Sequence, residues 1–282
     1  MRKAAVVVTG ILVFFLSTFT SPQAMNDIRF YDLANGRLLP ENDFASRLAD
    51  QRFVLVGERH NMASHHRGQL EVIKLLVDKG VAVAIGMEMM RSDSQAFLDA
   101  WVAGRLKEDE IKTIYLDNWN FPWELYRPIF IFARDHRIPI VGLNVPRAIT
   151  RQVAREGFDS LSPAQREGLP FVTCRIDDDY MAYIREAYGA HGHGNMSFNN
   201  FCEAQLVWDK AMAAKALQYS QKEPDRLMVI LAGTGHARKG GIPSQLIILG
   251  NRSFKVVLPE MPDILSPETL DSKDADFLIQ GL

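Results

Sequence analysis

The chain has 282 residues, of which 47% are hydrophobic and 23% charged, and its formal net charge is −2. This is soluble-globular composition, with length for one large domain or one domain carrying a sizeable insertion. No basic stripe is present, which excludes nucleic acid as an expected partner, and no strong field draws the chain to anionic lipid.

The first elements read as an export signal. Arg2 and Lys3 form a short basic region, an apolar run follows from Ala4 to Leu16, and small residues fill Ser17 to Ala24. The apolar run is shorter than the roughly 20 residues of a comfortable membrane span. Cleavage after Ala24 would put Pro22 three places before the cut, a poor match. Residues 1–24 are therefore expected to be a removed signal or an uncleaved N-terminal anchor giving membrane association, with Met25 as a competing start. The protein is expected to be periplasmic or otherwise exported. In that compartment Cys174 and Cys202 can form a disulfide, although two separate buried thiols fit the sequence equally well.

Residues 25–40 read as a lead-in with a turn at Asn35-Gly36. From there strand and helix alternate. Arg52 to Val56 is an apolar, β-branched strand ending at Gly57. Ser64 is placed as the N-cap of a helix to about Lys79, closed by Gly80, with Leu70, Ile73, Leu76 and Val77 on one face. Val81 to Gly86 is the second strand. Helical stretches follow at about 93–103 and 107–115, and Pro122 starts another that ends near His136. Ile138 to Leu143 is the third strand and Leu227 to Ala232 the fourth. Gln245 to Leu249 and Phe254 to Leu258 are candidates for one or two more.

These strands are continuous apolar runs, the pattern of strands buried on both faces of a parallel sheet. The expected class is α/β, a mostly parallel sheet flanked by helices. Over 80 residues separate the third and fourth strands, too many for one crossover. Residues 147–222 are therefore expected to form a smaller inserted helical subdomain, within a core made of 25–146 and 223–282.

Ligands of open parallel sheets bind beyond the carboxyl ends of the strands. The first strand is followed by Glu58 and His60, the second by Glu88, the third by Asn144 and Arg147, and the fourth by His236. One such residue alone is usually a helix cap or a solvated side chain; four strands delivering one each point to a site. Two histidines with carboxylates suit a divalent metal such as zinc, with His60, Glu88 and His236 as ligands. They equally suit metal-free acid–base catalysis by Glu58, His60, Glu88 and His236. A second cluster holds Tyr180, Tyr183, Tyr188, His191 and His193; such tyrosines usually face a domain interface. The long helix with Phe198, Phe201, Trp208, Asp209 and Met212 reads mainly as core packing.

Taken in order, six blocks resemble the ChaN family of haem-binding uptake proteins, in the superfamily with Tiki proteases and erythromycin esterases. They are Val56-Gly57-Glu58-Arg59-His60, His65-His66-Arg67-Gly68-Gln69, Gly86-Met87-Glu88-Met89, Leu143-Asn144-Val145-Pro146-Arg147, the run Phe201 to Ala213, and Ala232-Gly233-Thr234-Gly235-His236. The resemblance covers about residues 45–245. It maps the superfamily's paired Gly-x-x-His motifs onto Gly57–His60 and Gly233–His236, which with Glu88 serve hydrolytic members as metal ligands or acid–base groups. For the ChaN branch it implies a role in iron uptake with haem as the ligand, held by a tyrosine, and it allows for a ligand lying between two protomers of a homodimer. Tyr183 and Tyr188 are the candidate ligands, with His191, Asn144 and Arg147 as further haem contacts. Unlike lipid-anchored members, this chain has no cysteine at the end of its signal. The rival reading is a metal-dependent or acid–base hydrolase.

Overall fold

The apolar runs become strands buried on both sides, because helices cover both faces of the sheet. In this computed structural model, which describes residues 28–190, 196–262 and 264–282, the strands are β1 (Arg29–Asp32), β2 (Arg37–Leu39), β3 (Phe53–Glu58), β4 (Val83–Arg91), β5 (Ile140–Asn144), β6 (Leu227–Gly233), β7 (Phe254–Pro259) and β8 (Phe277–Gln280). They form one sheet in the order β2-β1-β8-β7-β3-β6-β4-β5. From β8 to β5 every pair is parallel. The β1–β2 hairpin, which turns through Asn35-Gly36, joins antiparallel at the β8 edge. The class is α/β with a mostly parallel sheet and a helical insertion. The segment 1–24, His191 and His193 lie outside the described residues. Among those residues no helix is long and apolar enough to cross a membrane.

Every residue of β3 and β6 is buried, and the two-residue strand period sorts them between two layers. Val54, Val56, Val229 and Leu231 face a cluster with Val72, Ile73, Leu76, Trp101, Trp123, Tyr126 and Phe130. Phe53, Leu55, Met228 and Ile230 face the opposite cluster, with Met212, Ala216, Ile242 and Leu246. At about 1.5–3 kcal/mol for each large apolar side chain fully buried, these two layers hold the strand ends in place.

Two expectations are corrected. Gln245–Leu249 forms the end of a helix, Ile242–Ile248 with Leu249 as its C-cap and Pro243 in its first turn; a short apolar run does not distinguish strand from buried helix, and Pro243 favours the latter. The helix after β3 starts at Ala63 with Met62 at the N-cap, so Ser64 is inside it. A turn from Arg59 to Met62 starts that helix early, and the Arg59 N–H donates to His65 Nδ1 at 2.9 Å. Strand β8, beyond a turn-rich segment, is absent from the pattern read above.

Between β5 and β6 lie the helices Arg147–Glu156, Pro163–Arg166, Asp178–Ala190 and Phe198–Lys222. They share a third cluster containing Val153, Phe158, Tyr180, Ile184, Leu206 and Val207. The 25-residue Phe198–Lys222 helix links it to the sheet, since Met212, Ala213 and Ala216 pack in the second cluster. Of the two alternatives for the cysteines, the disulfide is the one formed: Cys174 bonds Cys202, with Cα atoms 5.6 Å apart.

Candidate functional site

The strand order builds the site. β6 lies between β3 and β4, so Glu58, Gly233 and Glu88 reach one edge of the sheet together. Glu58 closes β3 with Gly233 as its register partner on β6. Glu88 lies within β4, where the register with β5 shifts between Met87 and Arg91. His60 follows β3 in a short loop, and His236 sits in the one-turn helix Thr234–Ala237 after β6.

The glycines of the two Gly-x-x-His motifs are packing requirements. A Cβ on Gly57 would lie 2.6 Å from Leu258 Cδ2 and 3.4 Å from the Thr234 backbone. One on Gly233 would press the His60 ring at 3.1 Å. A Cβ at either position would crowd its neighbours, Leu258 at Gly57 and the His60 ring at Gly233.

Glu58 is buried, with 1% of its surface exposed. Its Oε1 accepts from Tyr126 Oη at 2.6 Å and pairs with His60 Nδ1 at 2.6 Å. His66 Nδ1 lies 2.5 Å from Oε2. Burial would push the carboxyl up, but the hydrogen bonds and charges of His60 and His66 outweigh it and bring Glu58 down to about 2. In return, although burial pulls His60 and His66 down, Glu58 raises both above the ordinary histidine value, helped at His60 by Glu88. His65 is different: burial and the charge of His66 lower it to about 4. It is neutral and accepts the Arg59 amide.

A second relay mirrors the first. His236 Nδ1 pairs with Asp209 Oδ1 at 2.7 Å, and Asp209 Oδ2 accepts from Tyr180 Oη at 2.6 Å. Asp209 is fully buried and Tyr180 nearly so. Burial pulls the imidazole down, but the charges of Asp209 and Glu88 prevail and lift His236 to about 9. Glu88 stands between the relays. Its Oε2 accepts the Gly233 N–H at 2.7 Å, while Oε1 lies 4.0 Å from His60 Nε2 and 3.9 Å from His236 Nε2.

Both imidazoles are thus tied back through Nδ1 and present Nε2 toward one carboxylate oxygen. That arrangement can move a proton to and from a group entering between them. Tetrahedral zinc, with bonds of about 2.0–2.2 Å, needs ligand atoms roughly 3.4 Å apart, closer than these. Among the described residues, no group of three or more His, Cys, Asp or Glu side chains is disposed to hold a metal ion.

A crevice of about 450 Å³ opens onto the two histidines, walled by Arg59, Phe121, Tyr183, Ile184, Ala187 and Phe201. The Tyr183 ring lies parallel to Tyr180 at 6.0 Å, and the Arg238 guanidinium sits 4.5 Å over it. Burial raises the Tyr183 phenol while Arg238 opposes, and burial prevails. A Cβ on Gly235 would run into the Tyr183 hydroxyl, so the middle glycine of the second motif is what lets this tyrosine lie against it.

The other candidates are placed elsewhere. Tyr188 Oη donates to Met196 O at 2.6 Å, and its ring packs on Phe198 and Phe201. Asn144 Nδ2 donates to Glu88 O at 2.7 Å, holding the strand that bears the carboxylate. Arg147 Nη1 donates to Asn120 Oδ1 at 2.7 Å. None of these three lines the crevice.

Asp209 and Tyr126 were not among the candidates from sequence. A signal for Asp209 exists: Cys202, Leu206, Asp209, Ala213, Ala216 and Ser220 recur at helical spacing and are all buried. An acid on the apolar stripe of a helix needs a buried partner. Tyr126 carries no comparable mark.

A family model described as haem-binding uptake, Tiki superfamily, ChaN matches residues 44–246. Among solved structures, the chain resembles the ChaN of Campylobacter jejuni, solved with cofacial heme binding. The TM-score is 0.71 at 18% identity, covering 89% of this chain and 96% of that one. A mutant of the erythromycin esterase EreC in its open conformation superposes with a TM-score of 0.51 at 14% identity, covering 89% and 82%. These two likenesses are of fold. The chloroplastic protein RETICULATA-RELATED 5 of Arabidopsis thaliana is 23% identical over 128 residues, 43% of this chain but 17% of that protein's length.

Proposed function

The chain belongs to the ChaN family of haem-binding uptake proteins, and from that premise we propose that it is an exported iron-porphyrin carrier whose ligand enters the crevice beside His60 and His236. The observation that carries the reading is Tyr183: a phenol on the crevice wall beside Phe121, Ile184, Ala187 and Phe201, backed by the Arg238 guanidinium. These groups fit haem. Tyr183 would hold the iron of a ferric porphyrin through its phenol oxygen, with the Arg238 guanidinium partly offsetting the burial that raises the phenol. Phe121, Ile184, Ala187 and Phe201 would pack on the flat macrocycle, and the exposed Arg59 at the mouth would pair with a propionate. In a homodimer a second protomer would cover the bound porphyrin.

The test is a hemin titration of the purified mature protein, followed by its visible spectrum. Saturable binding is expected, weakened at least about tenfold, or ~1.4 kcal/mol, in Tyr183→Phe. Tyr188→Phe, whose hydroxyl is engaged by Met196 O, should bind as wild type. Hemin uptake no better than an albumin-like background would end the reading.

A specific observation favours a second reading, acid–base hydrolysis. Carrying haem on a tyrosine uses neither relay, yet both aim at Glu88. Glu88 Oε1 would take a proton from water as its oxygen attacks an acyl carbon, and the imidazolium of His236 would give one to the departing oxygen. His236→Ala should then abolish hydrolysis of a chromogenic ester such as a p-nitrophenyl acylate. Unchanged rates in that variant, or none in wild type, would count against it.

A further inference from the structure

We propose that Asp209 is the positioning residue of His236, so that the inserted helical region supplies half of the proton-handling centre and not merely a wall of the crevice. Assigning His236 the part of an acid rests on the acid–base reading above; the positioning itself does not.

The argument is one of geometry and burial. His236 sits in a one-turn helix of four residues, Thr234–Ala237. A segment that short does not fix a side-chain direction by itself. Its ring is fixed from outside, by a 2.7 Å hydrogen bond from Nδ1 to Asp209 on the Phe198–Lys222 helix. Asp209 is fixed in turn by the Tyr180 hydroxyl, donated from the Asp178–Ala190 helix. Both anchors thus come from the region between β5 and β6, whereas the corresponding anchors of His60, Glu58 and Tyr126, belong to the sheet and its own flanking layer.

Asp209 has no other evident reason to be where it is. It is 0% exposed on a stripe with Cys202, Leu206, Ala213, Ala216 and Ser220, and an unpaired carboxylate there would be strongly destabilising. An apolar residue would serve packing alone. The charged or titratable groups facing His236 are Asp209 from the long helix, Glu88 from β4 and His60 from the loop after β3. Asp209 is the one within hydrogen-bond distance, and it holds Nδ1, leaving Nε2 on the Glu88 side.

The experiment is NMR of the full mature protein labelled with 15N-histidine. In wild type, His236 should show a slowly exchanging Nδ1 proton far downfield, the mark of a hydrogen bond to a carboxylate, and should keep its charge to about pH 9. Asp209→Asn should lose the downfield proton and release the charge at a lower pH than wild type. Asp209→Glu should restore at least part of both. Glu58→Gln should move the His60 signals and leave those of His236 in place. The proposal is overturned if wild type lacks the downfield proton, or if His236 titrates the same in Asp209→Asn. The wild-type measurement decides even if that variant does not fold. Ester hydrolysis measured on the same samples separates the two ideas: no activity in wild type removes the acid role, while the NMR result alone judges the positioning.

Discussion

The two histidine half-sites carry the same Gly-x-x-His motif and the same order of atoms, tyrosine hydroxyl to carboxylate to imidazole Nδ1, yet they are built from different parts of the molecule. The His60 half is backed by Glu58 and Tyr126, within the sheet and the helix layer under it. The His236 half is backed by Asp209 and Tyr180, on the inserted helices. Glu58 meets three partners and remains a carboxylate down to about pH 2. Asp209 meets two at complete burial, and the pair holds its proton to about pH 9. What differs is therefore not the motif but the part of the molecule that backs it and the number of donors on each carboxylate.

The comparison can be broken most forcefully at Glu58. Glu58→Ala removes the common partner of His60, His66 and Tyr126, leaving the buried Tyr126 hydroxyl without its acceptor and both imidazoles without the carboxylate that pairs with them. A loss on the order of 3–5 kcal/mol is expected, read by chemical denaturation, and it should be global because the residue belongs to the main core. Removing the disulfide should act on the other half. Cys174 and Cys202 are 28 residues apart and enclose the helix that carries Tyr180 and Tyr183. Cys174→Ser combined with Cys202→Ser should cost roughly 3–4 kcal/mol by loop entropy. Limited proteolysis should find new cleavage between 161 and 201 before the sheet is attacked; uniform cleavage over the chain would contradict the division into two halves.

Acidity and alkalinity should separate the halves further. Glu58 is depressed from 4.5 to about 2, so its stabilisation is present above pH 4.5 and is lost as the pH falls toward 2. His236 is raised from 6.5 to about 9. Its stabilisation is complete below pH 6.5 and disappears as the pH rises through 9, a loss to which the raised His60 and His66 contribute. Thermal melts from pH 6.5 to 9.5 should show a declining Tm in wild type and a shallower decline in His236→Gln. Equal slopes would mean that Asp209 and Glu88 do not hold the proton on His236. The smallest effect belongs to Tyr126→Phe, which removes one hydrogen bond to a carboxylate that keeps its other partners, and should cost about 1–2 kcal/mol in the same melts.

Glu58, His60, Glu88 and His236 were legible because a parallel sheet presents functional groups at strand ends, and apolar runs ending in Gly-Glu-x-His or Gly-x-Gly-His mark those ends. The residues behind them were harder to read. Tyr126 reaches Glu58 from a helix whose sequence only declares an apolar face, and which side chain on that face meets which strand end depends on layer packing. Asp209 lay among Trp, Met and Ala in a helix read mainly as core, and only its place on the buried stripe distinguished it. Strands β3 to β7 followed from continuous apolar runs. The β1–β2 hairpin and β8 did not, since strands of three or four residues carry little pattern. Gln245–Leu249 misled because its period is too short to tell strand from helix.

The strand order also governs when the centre comes into being. β6 inserts between β3 and β4, so two strands made early in synthesis are not neighbours until one made much later has arrived. The contacts that assemble His60, Glu88 and His236 are thus among the longest in sequence, the kind that form late in folding. A chain crossing a membrane unfolded would carry the histidines and carboxylates as scattered, ordinary side chains. The centre would come into existence only on the far side, once the last fifth of the polypeptide had been delivered and the sheet had closed around it.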